Sequence, residues 1–185
     1  MLAAGLRHGV AAFVACVAAC AAMPARAQAP ILEHAVKATY LHKIAAFVEW
    51  PASAFEAADS PLALCVAGND PVGRLVVEAA SGRTYGMRAI SVRRVAQPAA
   101  TTGCHILYVA GLRDDAIATY LESVRDKPVL TITDGAVERR VKGAVNFLIR
   151  DNRVRFEIDL DLAAAQHLLV SSKLVGIAAR VVPQP

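Results

Sequence analysis

The sequence predicts an α/β fold: a single domain whose mixed, largely parallel sheet is flanked by helices, with a C-terminal hairpin and a long final helix. Three observations carry this prediction. Leu62 to Ala67 and Cys104 to Ala110 are short, continuous apolar runs, the pattern of strands buried on both faces. Helical stretches alternate with such runs, as they must when parallel strands are joined by crossover helices. Two β-like runs, Ala144 to Ile149 and Arg153 to Leu160, are joined by Arg150-Asp151-Asn152, which reads as a hairpin and makes the sheet mixed.

Taken in order, the first element is a leader. Arg7 and His8 form a basic end, Gly9 to Met23 is an uncharged run rich in Ala and Val, and Ala25-Arg26-Ala27 is an A-x-A site. This is the pattern of a secretory signal peptide over residues 1–27, cleaved after Ala27. Val17-Ala18-Ala19-Cys20 offers a rival lipoprotein cleavage at Cys20. Residues 28–185 then form the domain. From Ile31 to Val48 apolar residues recur at three and four, predicting an amphipathic helix that Trp50-Pro51 stops. Leu62 to Ala67 is a buried strand, Gly68-Asn69-Asp70-Pro71 a turn with Pro71 suited to open a helix, and Val72 to Ala80 that helix.

Ser81-Gly82-Arg83 breaks the helix, and Ala89 to Val95 reads as a strand. A second buried strand covers Cys104 to Ala110, a helix Arg113 to Val124, and a further strand Val129 to Thr133, with Asp134-Gly135 as its turn. After the hairpin, Asp161 is expected to cap a helix through Ala179, with Ala164, Leu168, Val170, Leu174 and Ile177 on its buried face.

Composition narrows the function classes. A chain of 185 residues that is 56% hydrophobic is too apolar for disorder. The mean hydropathy of +0.41 invites a membrane reading, but the leader supplies part of it. Without residues 1–27 the chain loses Arg7 and Arg26 and no acidic residue, so its net charge falls from +4 to +2. Such a balance lacks the clustered basic face of a nucleic-acid binder. Only Cys65 and Cys104 remain of the four cysteines. In an exported chain two cysteines are most simply a disulfide, and closing a loop of roughly 40 residues stabilises by about 3 to 4 kcal/mol. A metal pair lacks nearby ligands, and a redox dithiol lacks C-x-x-C proximity.

No catalytic set is visible. His34 and His42 are eight residues apart, His105 sits in a predicted core strand and His167 in the last helix, so no metal-ligand spacing appears. Walker, G-x-G-x-x-G and G-x-S-x-G motifs are absent, and neither a cofactor nor a metal is expected. Glu49 and Glu157 are carboxylates without an assigned task. Binding or regulation is the reading that remains. One version is a periplasmic small-ligand-binding module that uses the Gly68 to Pro71 turn.

Several motifs carry a resemblance. Lys37-Ala38 through Leu41, Ile44, Phe47 and Trp50-Pro51 follow the K-A-x-x-L-x-x-[IF]-x-x-F-x-x-W-P opening of the YfiR family of bacterial periplasmic proteins. Gly143-Ala144-Val145-Asn146-Phe147, Phe156-Glu157-Ile158-Asp159-Leu160 and Ser171-Ser172-Lys173-Leu174 resemble that family's glycine-led strand, its F-E-[IV]-N-L strand and its S-S-K-L helix. The resemblance runs from about residue 33 to 180.

It implies a periplasmic, non-enzymatic repressor. Such a protein binds the periplasmic domain of a membrane diguanylate cyclase, lowers cyclic di-GMP and biofilm formation, forms a homodimer, and is sequestered by an outer-membrane lipoprotein. Cys65 and Cys104 fall where the family places one disulfide, while a second family bridge falls near Arg139 and Asn146, where this chain has no cysteine. The resemblance implies partner contact at Glu157, with Phe156 and Asp159 beside it, and Asp159 stands where the family usually has Asn. Trp50 is open to two readings, a core residue at a helix stop or an exposed aromatic anchor.

Overall fold

In the computed structural model, which describes residues 29–135 and 139–182, the apolar runs become interior strands of an eight-stranded sheet. The expected leader over residues 1–27, with its cleavage after Ala27 and the rival one at Cys20, lies outside the described residues. The chain forms helix α1 (Ala29–Ile44), a 3-10 turn (Ala45–Phe47), β1 (Val48–Glu49), β2 (Leu62–Ala67), α2 (Val72–Ala80), β3 (Thr84–Tyr85) and β4 (Arg88–Val95). It continues with β5 (Ile106–Val109), α3 (Asp114–Ser123), β6 (Leu130–Asp134), β7 (Val145–Arg150) and β8 (Arg153–Asp159). The last elements are α4 (Leu160–Ala165), β9 (Leu169–Val170), α5 (Ser172–Val175) and β10 (Arg180–Val182).

The strand order is β10-β8-β7-β6-β5-β2-β4-β3. Strands β4, β2, β5, β6 and β7 run parallel, β8 returns antiparallel to β7, and β10 lies parallel to β8. The mixed, largely parallel sheet is therefore present, and helices flank it. The hairpin turns on Asp151 and Asn152, both with positive φ (51° and 57°), which is the left-handed pair a tight two-residue connection requires.

Alternation along the strands sorts two cores. Leu62, Leu64 and Val66 of β2 join Ile106 and Tyr108 of β5 on the face packed with Ala38, Leu41 and Ile44 of α1 and Val72 and Val76 of α2. Cys65, Ala67, Leu107 and Val109 point the other way, against Ile117 and Tyr120 of α3. Fully apolar strands are what two covered faces demand.

Two expectations are corrected. The first helix ends at Ile44 rather than Val48, because Val48 and Glu49 pair antiparallel with Val170 and Leu169 as a small two-stranded sheet. The long final helix is absent. Asp159, not Asp161, caps α4 by accepting from the Leu162 N–H at 2.9 Å, and the helix stops at Ala165. His167 takes φ 57°, Leu169 and Val170 extend to meet β1, and Ser171 caps the short α5 before Arg180–Val182 pairs with β8. Completing backbone hydrogen bonds at the β1 and β8 edges wins over continuous helix.

Candidate functional site

At the carboxyl ends of β2, β5 and β6 the sequence turns to glycine and charge. In open parallel sheets this edge is where ligands and polar groups gather. Gly68 has φ 91°, and a Cβ there would sit 1.9 Å from the Ala110 carbonyl oxygen, so only glycine lets the β2–α2 turn cross the β5–α3 turn this closely. The crossing sets Asp70 over Tyr108. The Asp70 carboxylate accepts from the Val72 N–H at 2.7 Å, and the Tyr108 hydroxyl lies 3.4 Å from both Asp70 Oδ1 and Asp134 Oδ2.

Lys37 reaches the same cluster from α1. It is only 4% exposed, and its Nζ lies 2.6 Å from Glu33 and 2.7 Å from Asp134. Burial alone would depress its pKa, but the two carboxylates together hold the ammonium above its ordinary value. Burial is the largest influence on Asp134 and raises its carboxyl, Lys37 pulls it back, and the upward direction prevails. Burial, then the charges of Asp134 and Asp70, push the Tyr108 phenol far above its usual range, so it remains a donor. Arg139 closes the cluster from outside, 3.2 Å from Asp114 and donating to the Asp134 carbonyl. The arrangement clamps α1 to the sheet edge by charge pairing.

The disulfide is formed: Cys65 of β2 and Cys104 ahead of β5 are joined with their Cα atoms 5.8 Å apart. Both are buried. Beside it the Arg93 guanidinium donates to Cys104 Sγ at 3.3 Å, to the Ala100 carbonyl at 2.8 Å and to the Thr102 carbonyl, pinning the β4–β5 connection.

The expected partner residues separate into two places. Phe156, Glu157 and Asp159 follow one another on β8. Glu157 is 5% exposed and accepts from Lys142 Nζ at 2.5 Å and Asn146 Nδ2 at 3.1 Å. Asn146 in turn accepts from Thr133 at 2.9 Å, so the position near which the family's second bridge falls is occupied by a buried hydrogen-bond chain. Phe156 meets Tyr40 edge-on at 6.3 Å, and Asp159 is the α4 cap. Trp50 lies apart from β8, 8% exposed, donating Nε1 to the His105 carbonyl at 3.2 Å and packed edge-on to Tyr85 at 5.3 Å.

His105 is itself a structural knot. Its Nδ1 accepts from the Ala63 N–H at 3.0 Å, which leaves Nε2 to donate to the Ala54 carbonyl at 3.0 Å, and the ring stacks on Phe55 at 4.4 Å. Burial, the largest influence, holds its pKa below the ordinary value. Glu49 carries no resolved task. Sequence reasoning missed Lys37, Tyr108 and Asp134 as one cluster, although Lys37 breaks the apolar stripe that Leu41 and Ile44 continue. Among the described residues no group of three or more His, Cys, Asp or Glu is placed to hold a metal ion, and no helix is long and apolar enough to cross a membrane.

No curated protein matches the chain. The model of one family does, described as YfiR/HmsC-like, and it covers residues 34–179, from the α1 cluster to the threshold of β10. With nearly all of the described fold inside that match, the chain belongs to the YfiR/HmsC-like family, a regulatory family of the periplasm that acts in cyclic di-GMP signalling.

Proposed function

We propose that this protein is a periplasmic repressor, acting without catalysis, that binds the periplasmic domain of an inner-membrane diguanylate cyclase and so lowers cyclic di-GMP and biofilm formation. The observation that carries the reading is the family match over residues 34–179. The candidate site is consistent with it, since Lys37, Asp134, Tyr108 and Glu157 are all held in structural contacts. In this reading the export signal over residues 1–27 delivers the chain, and it works as a homodimer that an outer-membrane lipoprotein can sequester.

Glu157, Phe156, Asp159 and Trp50 are the partner-contact residues of this proposal. Trp50, Phe156 and Glu157 are buried and act by shaping the surface, Asp159 is half-buried, and Ile149 of the hairpin and Leu169 and Ile177 of the C-terminal segment supply exposed apolar side chains. Deleting the gene should raise cellular cyclic di-GMP, and pull-down from the periplasm should recover a cyclase. Unchanged cyclic di-GMP in the deletion strain overturns the proposal. Glu157→Gln, which keeps the size and an acceptor for Asn146 while ending the ion pair with Lys142, should lose repression, and a thermal melt of the variant separates that loss from destabilisation of the fold.

A further inference from the structure

Between the carboxyl ends of β2 and β4 and one flank of α3 lies a cavity of about 620 Å³, a size that ordinarily takes a small organic molecule. Its walls are mostly apolar, with Val66, Val95, Pro98, Leu112, Ala116 and the Tyr120 ring, and Gln97 and Thr119 add polar groups. Asn69 and Arg94 stand at one end and are shared with a second cavity of about 310 Å³, lined otherwise by Asp70, Pro71 and Arg74. One space is therefore oily and its neighbour polar, with Arg94 at the boundary.

Charge gives the polar space a sign. Arg94 and Arg74 contribute two cations against the single carboxylate of Asp70, whose Oδ1 is already taken by the Val72 N–H and the Tyr108 hydroxyl. Arg94 is anchored by one donor, from Nη2 to the Gly68 carbonyl at 3.2 Å, and a guanidinium carries five N–H groups in a planar fork that suits a carboxylate. The location is also at the carboxyl ends of the parallel strands β2 and β4, the edge of the sheet at which open α/β folds bind ligands.

We propose that this pair of cavities is an effector site for a small organic anion, its apolar body between β4 and α3 and its carboxylate on Arg94 with Arg74 beside it. This site is separate from the β8 residues and does not rest on the identity of the cyclase. The wall from Ala96 to Pro98 belongs to the connection that Arg93 and the Cys65–Cys104 bridge hold in place, so the site is shaped in the oxidised protein.

The test is titration of the ¹⁵N-labelled, disulfide-bonded protein with octanoate and with 4-phenylbutyrate, and with octylammonium as the cation of matching body. Saturable shifts at Asn69, Gln97 and Tyr120 are expected with at least one of the two acids and not with the amine. Arg94→Gln should weaken binding roughly tenfold or more, the scale of losing a charge-assisted hydrogen bond. Ala116→Phe, which fills the apolar end from the half-exposed side of α3, should abolish it. Thermal melts of both variants confirm that they are folded. No shift with either acid at about 10 mM, equal binding of the amine, or binding that survives both substitutions would overturn the proposal.

Discussion

Removing the Lys37 ammonium is the most informative single perturbation of this fold. In Lys37→Met the apolar stem is kept, while Asp134 loses its 2.7 Å partner in a place where the carboxylate side chain is only 14% exposed. Breaking a buried pair from one side costs about 3 to 5 kcal/mol, because the remaining charge is left without compensation. Glu33 is 32% exposed and recovers solvent, so its share is small and the lower end applies, about 3 kcal/mol. For a chain of this size that corresponds to a fall in Tm of about 6 to 12 °C.

Urea unfolding of Lys37→Met, Asp134→Asn and the double variant measures it. The double variant removes both charges and keeps an acceptor for Tyr108, so it should be more stable than Lys37→Met alone. The acid limb adds a second check. With its cation gone, the already raised Asp134 carboxyl rises further, and a folded pKa above the unfolded one means the native state binds the extra proton. The deficit of Lys37→Met should therefore narrow as pH falls. At the opposite end, the raised Lys37 contributes stability that is present below its ordinary value of 10.5 and lost as pH rises through the folded value. A cost under about 1 kcal/mol, or a double variant no better than the single, would refute the clamp, since that is the behaviour of a solvent-screened pair.

Other consequences follow from the same geometry. His105 and His42 are both held below their ordinary 6.5, chiefly by burial, so the unfolded chain takes up protons first and stability should decline as pH drops below about 6.5. His105→Gln should flatten part of that slope in urea titrations across the acid range, and an unchanged slope would remove His105 from the account. Reducing the Cys65–Cys104 bridge, which spans 39 residues, should lower stability by about 4 kcal/mol on the chain-entropy model, read as the difference between oxidised and reduced melts. Gly68→Ala meets both a positive φ and the Ala110 oxygen, so a loss of at least about 2 kcal/mol is expected, and a neutral result would mean the two turns can part without cost.

How much of this was legible from the residues follows from where each signal resides. Leu62–Ala67 and Val72–Ala80 lie where the pattern puts them, since a strand buried on both faces and a helix opened by Pro71 declare themselves within a few residues. The hairpin is equally local, written in Asp151-Asn152. Strands β1, β3, β9 and β10 are two or three residues long, and what makes them strands is a partner elsewhere in the chain. No periodic window can contain that information. The final helix failed for the same reason: Ala164 and Leu168, and then Val170 and Leu174, keep a helical spacing of four, yet the backbone turns at His167 and Leu169 and Val170 pair with β1. Asp70, Tyr108 and Asp134 are ordinary residues in sequence, and only the parallel register, with Tyr108 opposite Ile132, brings them together.

The two ends of the sheet are stabilised by different physics, and this bears on how a regulator of this shape can respond to its surroundings. Toward the start of β5 the contacts run between rings and backbone: Trp50 on the His105 carbonyl, His105 on Ala63 and Ala54, and the bridge at Cys104. Such contacts change little until a histidine titrates or the bridge is reduced. At the opposite edge the contacts are charges sharing a half-buried space, where Lys37, Asp134 and Asp70 lie within one network and Arg94 and Arg74 border its cavities. Charge added there by a bound anion acts on Asp70, from Asp70 on the Tyr108 hydroxyl, and through Asp134 on the lysine that fastens α1. Helix α1 packs against the sheet face that also carries Phe156 and Ile158 of β8, so the position of that helix is the physical quantity through which an event at the sheet edge can reach the strand that bears Glu157.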